Sequence, residues 1–128
     1  MPNTFLLAAA LMSQSAVMIT PPLTVPAPAL PSGEVGFSEI MAGRPLAAIS
    51  RIESGDLIKA DDPLALINLG TAYKMIGRKD VAARHYRKAL ASDERYDVQL
   101  ADGRWLDSRR AARLAMSGID RNETLALR

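Results

Sequence analysis

Few residues in this sequence have the chemistry needed for acid–base catalysis or metal binding. His85 is the single histidine, and it lies between Arg84 and the Arg87–Lys88 pair, whose positive charges lower the basicity of an imidazole. No second histidine or carboxylate at helical spacing completes a metal site around it. The chain contains no cysteine, which removes thiolate catalysis, disulfides and cysteine-based metal sites. We therefore interpret His85 as an exposed helix residue and expect no metal and no cofactor.

Two pairs of adjacent carboxylates could be mistaken for acid–base machinery. Asp61 is followed by Asp62, and Asp93 is followed by Glu94. Both pairs fall at predicted helix boundaries, where capping and the helix dipole account for acidic side chains. Glycine-rich phosphate loops and the G-x-S-x-G and H-E-x-x-H motifs are missing from the sequence. The sequence therefore predicts no enzyme.

The stretch from Pro63 to Tyr96 predicts two helices that fold back on each other across Gly77. Residues that recur at three- and four-residue spacing give each helix one buried face: Leu66, Leu69, Gly70 and Tyr73 on the first, and Ala82, Tyr86 and Ala89 on the second. Glycine inside a helix costs about 1 kcal/mol relative to alanine. Close approach of the second helix, with Ala82 facing Gly70, would compensate for this cost.

These positions are similar to those of a tetratricopeptide repeat, a helix–turn–helix unit of about 34 residues. Leu66 stands where the family often has Trp, Tyr86 replaces the commoner Phe, and Glu94 takes the position usually given to Pro. The resemblance implies an all-α repeat fold and a non-enzymatic role in binding other proteins. A generic helical hairpin is the alternative interpretation of the same pattern.

One 34-residue period earlier, the sequence predicts a degenerate copy of the same unit over residues 37–62. Counting back 34 residues aligns Gly70, Gly77, Ala82 and Tyr86 with Gly36, Gly43, Ala48 and Ile52, respectively. A short helix around Phe37–Met41 is followed by Pro45, which suits the first turn of the next helix. Asp62 and Pro63 then provide an acidic N-cap and a first-turn proline for the well-formed repeat, residues 63–96. We expect about one and a half repeats.

Residues 97–128 predict a short hairpin or elbow and a C-terminal capping helix. Val98 and Leu100 alternate with polar residues, and Asp102 with Gly103 is a tight-turn signal. Asp107 or Ser108 can cap the last helix. Its predicted apolar side carries Ala111, Ala112, Leu114, Ala115 and Ile119, and its other side carries Arg109, Arg110 and Arg113. A helix of this kind covers the end of a repeat array. We expect residues from 120 onward to be frayed.

A second face of the first repeat helix is the candidate binding site. In proteins with this repeat the matching positions line a groove that receives a peptide or a partner helix, and here they are Leu64, Ile67, Asn68, Thr71, Lys74 and Met75. About three units are normally needed to cover such faces, so we expect this groove to dimerise or to dock a protein partner. Alternatively, the first unit or the last helix covers it, in a small structural protein whose repeat packs only on itself or on a second copy.

The N-terminal residues predict export. No charged residue precedes Glu34, and residues 1–29 combine the apolar run FLLAAALMSQSAVMI with Ala27 and Ala29 of a cleavage site. We predict a signal peptide cleaved after Ala29, a linker over residues 30–36, and a periplasmic or secreted protein. The alternatives are an uncleaved membrane anchor and a disordered apolar tail. The anchor is the only membrane contact that we consider. A net charge of +2 is too small to predict nucleic-acid binding.

Overall fold

The computed structural model describes residues 35–128; the predicted signal peptide and residues 30–34 of the predicted linker lie outside them. The elements are α1 (Phe37–Met41), α2 (Pro45–Glu53), α3 (Asp56–Lys59), α4 (Pro63–Met75), α5 (Lys79–Ala91), β1 (Asp97–Gln99), β2 (Trp105–Asp107) and α6 (Ser108–Ser117). The described residues are mostly helical, with one small hairpin of strands. The predicted all-α class is confirmed at this level.

Helix α4 lies at the centre of the fold. Every residue from Pro63 to Ala72 is buried, and the helix contacts α1, α2, α5 and α6. Its start is the predicted one, since the Ala65 amide donates to the Asp62 carboxylate at 3.0 Å and Pro63 occupies the first turn. Gly77, with φ of 81°, follows its end. A helix buried on all sides needs neighbours on all sides.

The α4–α5 hairpin packs closely at Gly70. A Cβ added there would lie 2.6 Å and 2.8 Å from two Tyr86 ring carbons and 3.2 Å from the Ala82 carbonyl oxygen. The predicted close approach is confirmed, with the Tyr86 ring nearer than the Ala82 side chain. The predicted core residues are buried apart from Tyr73, which is partly exposed: Leu66, Leu69, Gly70, Ala82, Tyr86 and Ala89.

Helices α1 and α2 reproduce this contact on a smaller scale. A Cβ on Gly36 would lie 2.7 Å from the Ile52 Cδ1 atom and 3.6 Å from the Ala48 Cβ atom. Gly43, with φ of 70°, follows α1 as Gly77 follows α4. The residues that are 34 positions apart in the predicted degenerate and well-formed units therefore make similar contacts. The two units differ in length, since α1 has 5 residues and α4 has 13, and in the place of the glycine, since Gly36 precedes α1 whereas Gly70 lies inside α4.

The predicted hairpin and last helix are both present. Strands β1 and β2 pair antiparallel, and Gly103 adopts the left-handed conformation in the turn between them, with φ of 87°. The Arg110 amide donates to the Asp107 carboxylate at 3.2 Å, so Asp107 caps α6. The buried side of α6 carries Ala111, Ala112 and Ala115, whereas Leu114, predicted to be on that side, is 44% exposed.

Residues 122–128, which we call the C-terminal segment, are ordered against the rest of the fold. Ala126 and Leu127 are buried, and Leu127 forms an antiparallel bridge with Leu100. The Arg128 amide donates to the Gln99 carbonyl at 2.8 Å. The prediction that the chain frays from residue 120 is wrong, because this segment supplies a further strand-like edge to the hairpin and covers a face of α4.

The contact at Gly70 generates the first testable expectation. Gly70→Ala should lower the free energy of unfolding, because the overpacking cost of about 1–3 kcal/mol exceeds the helix-propensity gain of about 1 kcal/mol. Chemical denaturation of purified protein measures the change.

Gly118→Ala is the matched control. Gly118 has an ordinary φ of −95°, and an added Cβ would lie 3.5 Å from its nearest neighbour, so the change should stay within about 0.5 kcal/mol. Equal effects of the two substitutions would contradict the close packing of α4 on α5.

Candidate functional site

The face of α4 predicted to be an open groove is occupied. Leu64, Ile67, Asn68 and Thr71 are buried, and Lys74 and Met75 are partly exposed. The C-terminal segment lies along this face, so the expectation of an exposed apolar groove has to be corrected. The physical reason is that the apolar face of α4 must be covered, which is also why the sequence predicts a partner there. The chain covers it with its own last residues rather than with the first unit alone.

Asn68 is the central contact between α4 and the C-terminal segment. Its side-chain amide nitrogen donates to the Leu127 carbonyl at 2.8 Å, and its side-chain oxygen accepts from the Leu127 amide at 2.9 Å. The same nitrogen also donates to the Val35 carbonyl at 2.7 Å. Asn68 is 0% exposed, and burying an amide is favourable only if it is paired. One side chain thus satisfies both main-chain groups of a buried residue.

Two further side chains of α4 bind the C-terminal segment one turn and two turns along the helix. The Thr71 hydroxyl donates to the Leu125 carbonyl at 2.7 Å, and the Lys74 ammonium donates to the Glu123 carbonyl at 2.7 Å. Positions three apart on a helix share a face, and alternate residues of an extended chain share an edge. Three donors on α4 therefore match three carbonyls of an extended segment.

Lys74 also joins the segment to α6. Its ammonium donates to the Gly118 carbonyl at the end of α6, again at 2.7 Å. Burial is the largest effect on its pKa, which is lowered from the ordinary value, and the nearby Glu123 carboxylate acts in the opposite direction. Lys74 is therefore a structural donor at this site.

Side chains of the C-terminal segment add apolar contacts at its far end. Leu127 joins the cluster that contains Leu64, Leu66 and Ile67. Ala126 joins the second cluster, which lies against α1 and α2. The Arg128 guanidinium carbon lies 4.4 Å from the centre of the Phe37 ring, a cation–π contact. The segment is thus held by its main chain along its length and by buried side chains at one end.

His85 is not the exposed residue that the sequence predicted. Its ring stacks on Tyr73 with centroids 5.6 Å apart, and its Nδ1 atom is buried without a hydrogen-bond partner in the part of the chain that is described. Burial, followed by the charge of Lys88, lowers the pKa of His85. The Tyr73 hydroxyl donates to the Glu53 carboxylate, which raises the pKa of Tyr73. Within residues 35–128 no cluster of three or more acidic or histidine side chains could hold a metal ion.

Sequence reasoning missed the C-terminal segment as part of the site. The available signal was the alternation of Leu125 and Leu127 with smaller or polar neighbours, which is typical of a strand. The segment is short, and the residue that fixes it, Asn68, lies 59 positions away in the sequence. No local pattern links the two.

Comparison of the chain with family models, with curated proteins and with solved structures found no match. Among residues 35–128 no helix is long and apolar enough to cross a membrane.

Removing the Asn68 side chain should destabilise the fold strongly. Asn68→Ala leaves the buried amide and carbonyl of Leu127 unpaired, at about 1–3 kcal/mol for each group. We expect the free energy of unfolding to fall by about 2–6 kcal/mol, measured by chemical denaturation. Asn122→Ala, at an exposed position of the segment, is the control and should be nearly neutral. A neutral Asn68→Ala would show that the segment does not depend on this contact.

His85 should make stability depend on pH. Because its pKa is lowered in the folded state, the unfolded chain binds the proton more readily. The free energy of unfolding should therefore fall as pH drops below the unfolded value of about 6.5. His85→Gln should remove that part of the slope and leave stability near pH 8 little changed. Parallel pH profiles of the two proteins between pH 8 and pH 5 would contradict this assignment.

Proposed function

We propose that this chain is a non-enzymatic protein-interaction module of the tetratricopeptide type. The fold supports this through its repeated contacts, since Gly36 packs on Ile52 as Gly70 packs on Tyr86. A left-handed glycine follows the first helix of each hairpin. In this proposal a shortened unit and a full unit are followed by the β-hairpin, by α6 as the terminal helix and by the C-terminal segment.

The observation that carries the proposal is main-chain recognition on the face of α4. Asn68, Thr71 and Lys74 bind the backbone carbonyls of every second residue in an extended segment, at positions 127, 125 and 123. Such contacts do not depend on which side chains the bound segment carries. The side chains of Ala126 and Leu127 are buried, so these two positions select for small and apolar residues. The face is built for an extended peptide with small and apolar residues at one end. Its occupant in this structure is the chain's own C-terminal segment.

A partner would bind by taking the place of the C-terminal segment. A tethered segment acts at an effective concentration that is on the order of millimolar for a short flexible connection. A competing peptide must therefore bind more tightly than the segment, or bind while the segment is released. The segment of a second copy meets the same contacts, so exchange of segments between two chains would give a homodimer.

A structural protein without a partner is the second candidate. Ala126 and Leu127 are as buried as the core of α4, and the segment extends the hairpin through the Leu100–Leu127 bridge. In that case the segment is a permanent part of the core. The two functions differ in one property, which is whether the segment opens without unfolding the rest.

We also propose that the protein is exported to the periplasm or secreted. The support is the charge-free apolar run and the Ala27-Pro28-Ala29 cleavage sequence. If this segment stays uncleaved, it supplies the only membrane contact that we propose.

For an interaction module, the C-terminal segment should open locally, and the vacated face should accept the same segment in trans. The Leu127 amide, bound by Asn68, should exchange its hydrogen at a lower opening free energy than the Leu66 amide in the core of α4. A labelled peptide of sequence NETLALR, residues 122–128, should bind the full chain carrying Leu127→Ser. It should bind the unchanged chain much more weakly, because the resident segment competes.

The same peptide carrying Leu127→Ser is the matched control and should not bind. If the variant chain loses helix content in circular dichroism, restoration of helix by the unmodified peptide reports the same binding. Equal opening free energies for the Leu127 and Leu66 amides, with no peptide bound, would establish the structural alternative instead.

A further inference from the structure

A second surface, on the opposite side of α6 from its buried alanines, combines apolar and cationic side chains. Arg110, Arg113, Leu114 and Ser117 recur at three- and four-residue spacing and share the outer face of α6. Trp105 at the start of β2 is 65% exposed beside this face, and Leu114 is 44% exposed. Exposed aromatic and arginine side chains together are typical of protein interfaces.

These residues line an open cleft. The cleft between the hairpin and α6 has a volume of about 730 Å³, and buried Leu100 and partly buried Leu106 are among its lining residues. A second cleft of about 360 Å³ adjoins it and runs toward residues 123–126 of the C-terminal segment. The two share Leu100, Arg104 and Leu114 in their linings. The two clefts therefore lie side by side along α6.

The charges of the cleft are not neutralised from within. Arg104 pairs with Asp102 at 2.7 Å, and Asp107, which caps α6, is already paired with Arg95 at 2.7 Å. Arg110 and Arg113 have no carboxylate or hydrogen-bond partner for their guanidinium groups within residues 35–128. Among the described residues, the cleft thus presents two positive charges without a carboxylate partner, next to an exposed tryptophan and an exposed leucine.

We propose that this cleft docks a protein segment in which carboxylates flank an apolar side chain. The apolar side chain would lie between Trp105 and Leu114, and the carboxylates would pair with Arg110 and Arg113, whose planar guanidinium groups suit two-point carboxylate contacts. The surface is distinct from the face of α4, so the proposal stands independently of the peptide-binding function proposed above.

Three other occupants fit less well. Residues 1–34 of the chain carry one acidic side chain, Glu34, and cannot supply the two carboxylates that would pair with Arg110 and Arg113. Two copies packed cleft against cleft would bring like charges together, since a two-fold interface pairs each patch with itself. An anionic bilayer is flat and cannot fill a cleft, and two arginines give it only a weak electrostatic attraction.

The test uses Trp105, the single tryptophan of the chain, as a reporter at the site. The probe is a synthetic amphipathic peptide of glutamate and leucine, without aromatic residues, titrated into the full chain. We expect saturable binding with a blue shift of tryptophan emission. Arg110→Glu combined with Arg113→Glu should weaken binding by at least about 10-fold, because like charges then face each other. Leu114→Ala, at an exposed position, should weaken it while leaving helix content unchanged.

Arg84→Glu combined with Arg87→Glu is the matched control, since both residues are exposed on α5 outside the cleft and the net charge changes equally. Equal weakening by the two double variants, or no blue shift at saturation, would overturn the proposal. So would a blue shift with phosphatidylglycerol vesicles but not with the peptide, which would assign the patch to a membrane. Self-association abolished by the Arg110 and Arg113 substitutions would assign it to a second copy and equally overturn the proposal.

Discussion

The burial of α4 on every side is the constraint on which the rest of the structure depends. A helix that is buried on all sides needs neighbours on all sides, and all residues from Pro63 to Ala72 are buried. Helix α5 covers the side that carries Gly70, and α1 and α2 cover the side of Ala65, Leu69 and Ala72. No further helix of residues 35–128 covers the remaining side fully. The extended C-terminal segment takes that place, assisted by α6.

Asn68 decides how the segment lies on that helix. A buried side-chain amide and a buried extended backbone both need hydrogen-bond partners, and here each satisfies the other. The three donors on α4 meet alternate carbonyls of the segment. A shift of the segment by one residue would turn these carbonyls away and move Leu127 out of the apolar cluster. The polar contacts thus fix the register, and the apolar contacts supply the driving force for burial.

Sequence patterns predicted the parts of the fold that local physics determines. Helix spacing, the Asp62 and Asp107 caps, and the left-handed glycines at 43 and 77 are all encoded within a few residues. The close contact at Gly70 also followed, because a glycine inside a helix implies a near neighbour. The state of the groove did not follow, because it depends on a contact between residues 68 and 127 that no local pattern encodes. The burial of His85 also depends on a contact between two helices, since the Tyr73 ring of α4 stacks on it. The pattern within α5 therefore predicts an exposed side chain, which is wrong.

The two surfaces of the molecule are connected at Lys74. Its ammonium holds the Glu123 carbonyl of the segment and the Gly118 carbonyl that ends α6, and the smaller of the two clefts along α6 is lined by Lys74 and by residues 123–126. The shape of this smaller cleft, which adjoins the proposed docking cleft, therefore depends on whether the segment is in place. Coupling between two sites is reciprocal: a ligand that binds the cleft more tightly with the segment docked must hold the segment on α4 by the same free energy. A ligand that prefers the cleft without the segment must favour its release, which would open the face of α4 to a peptide.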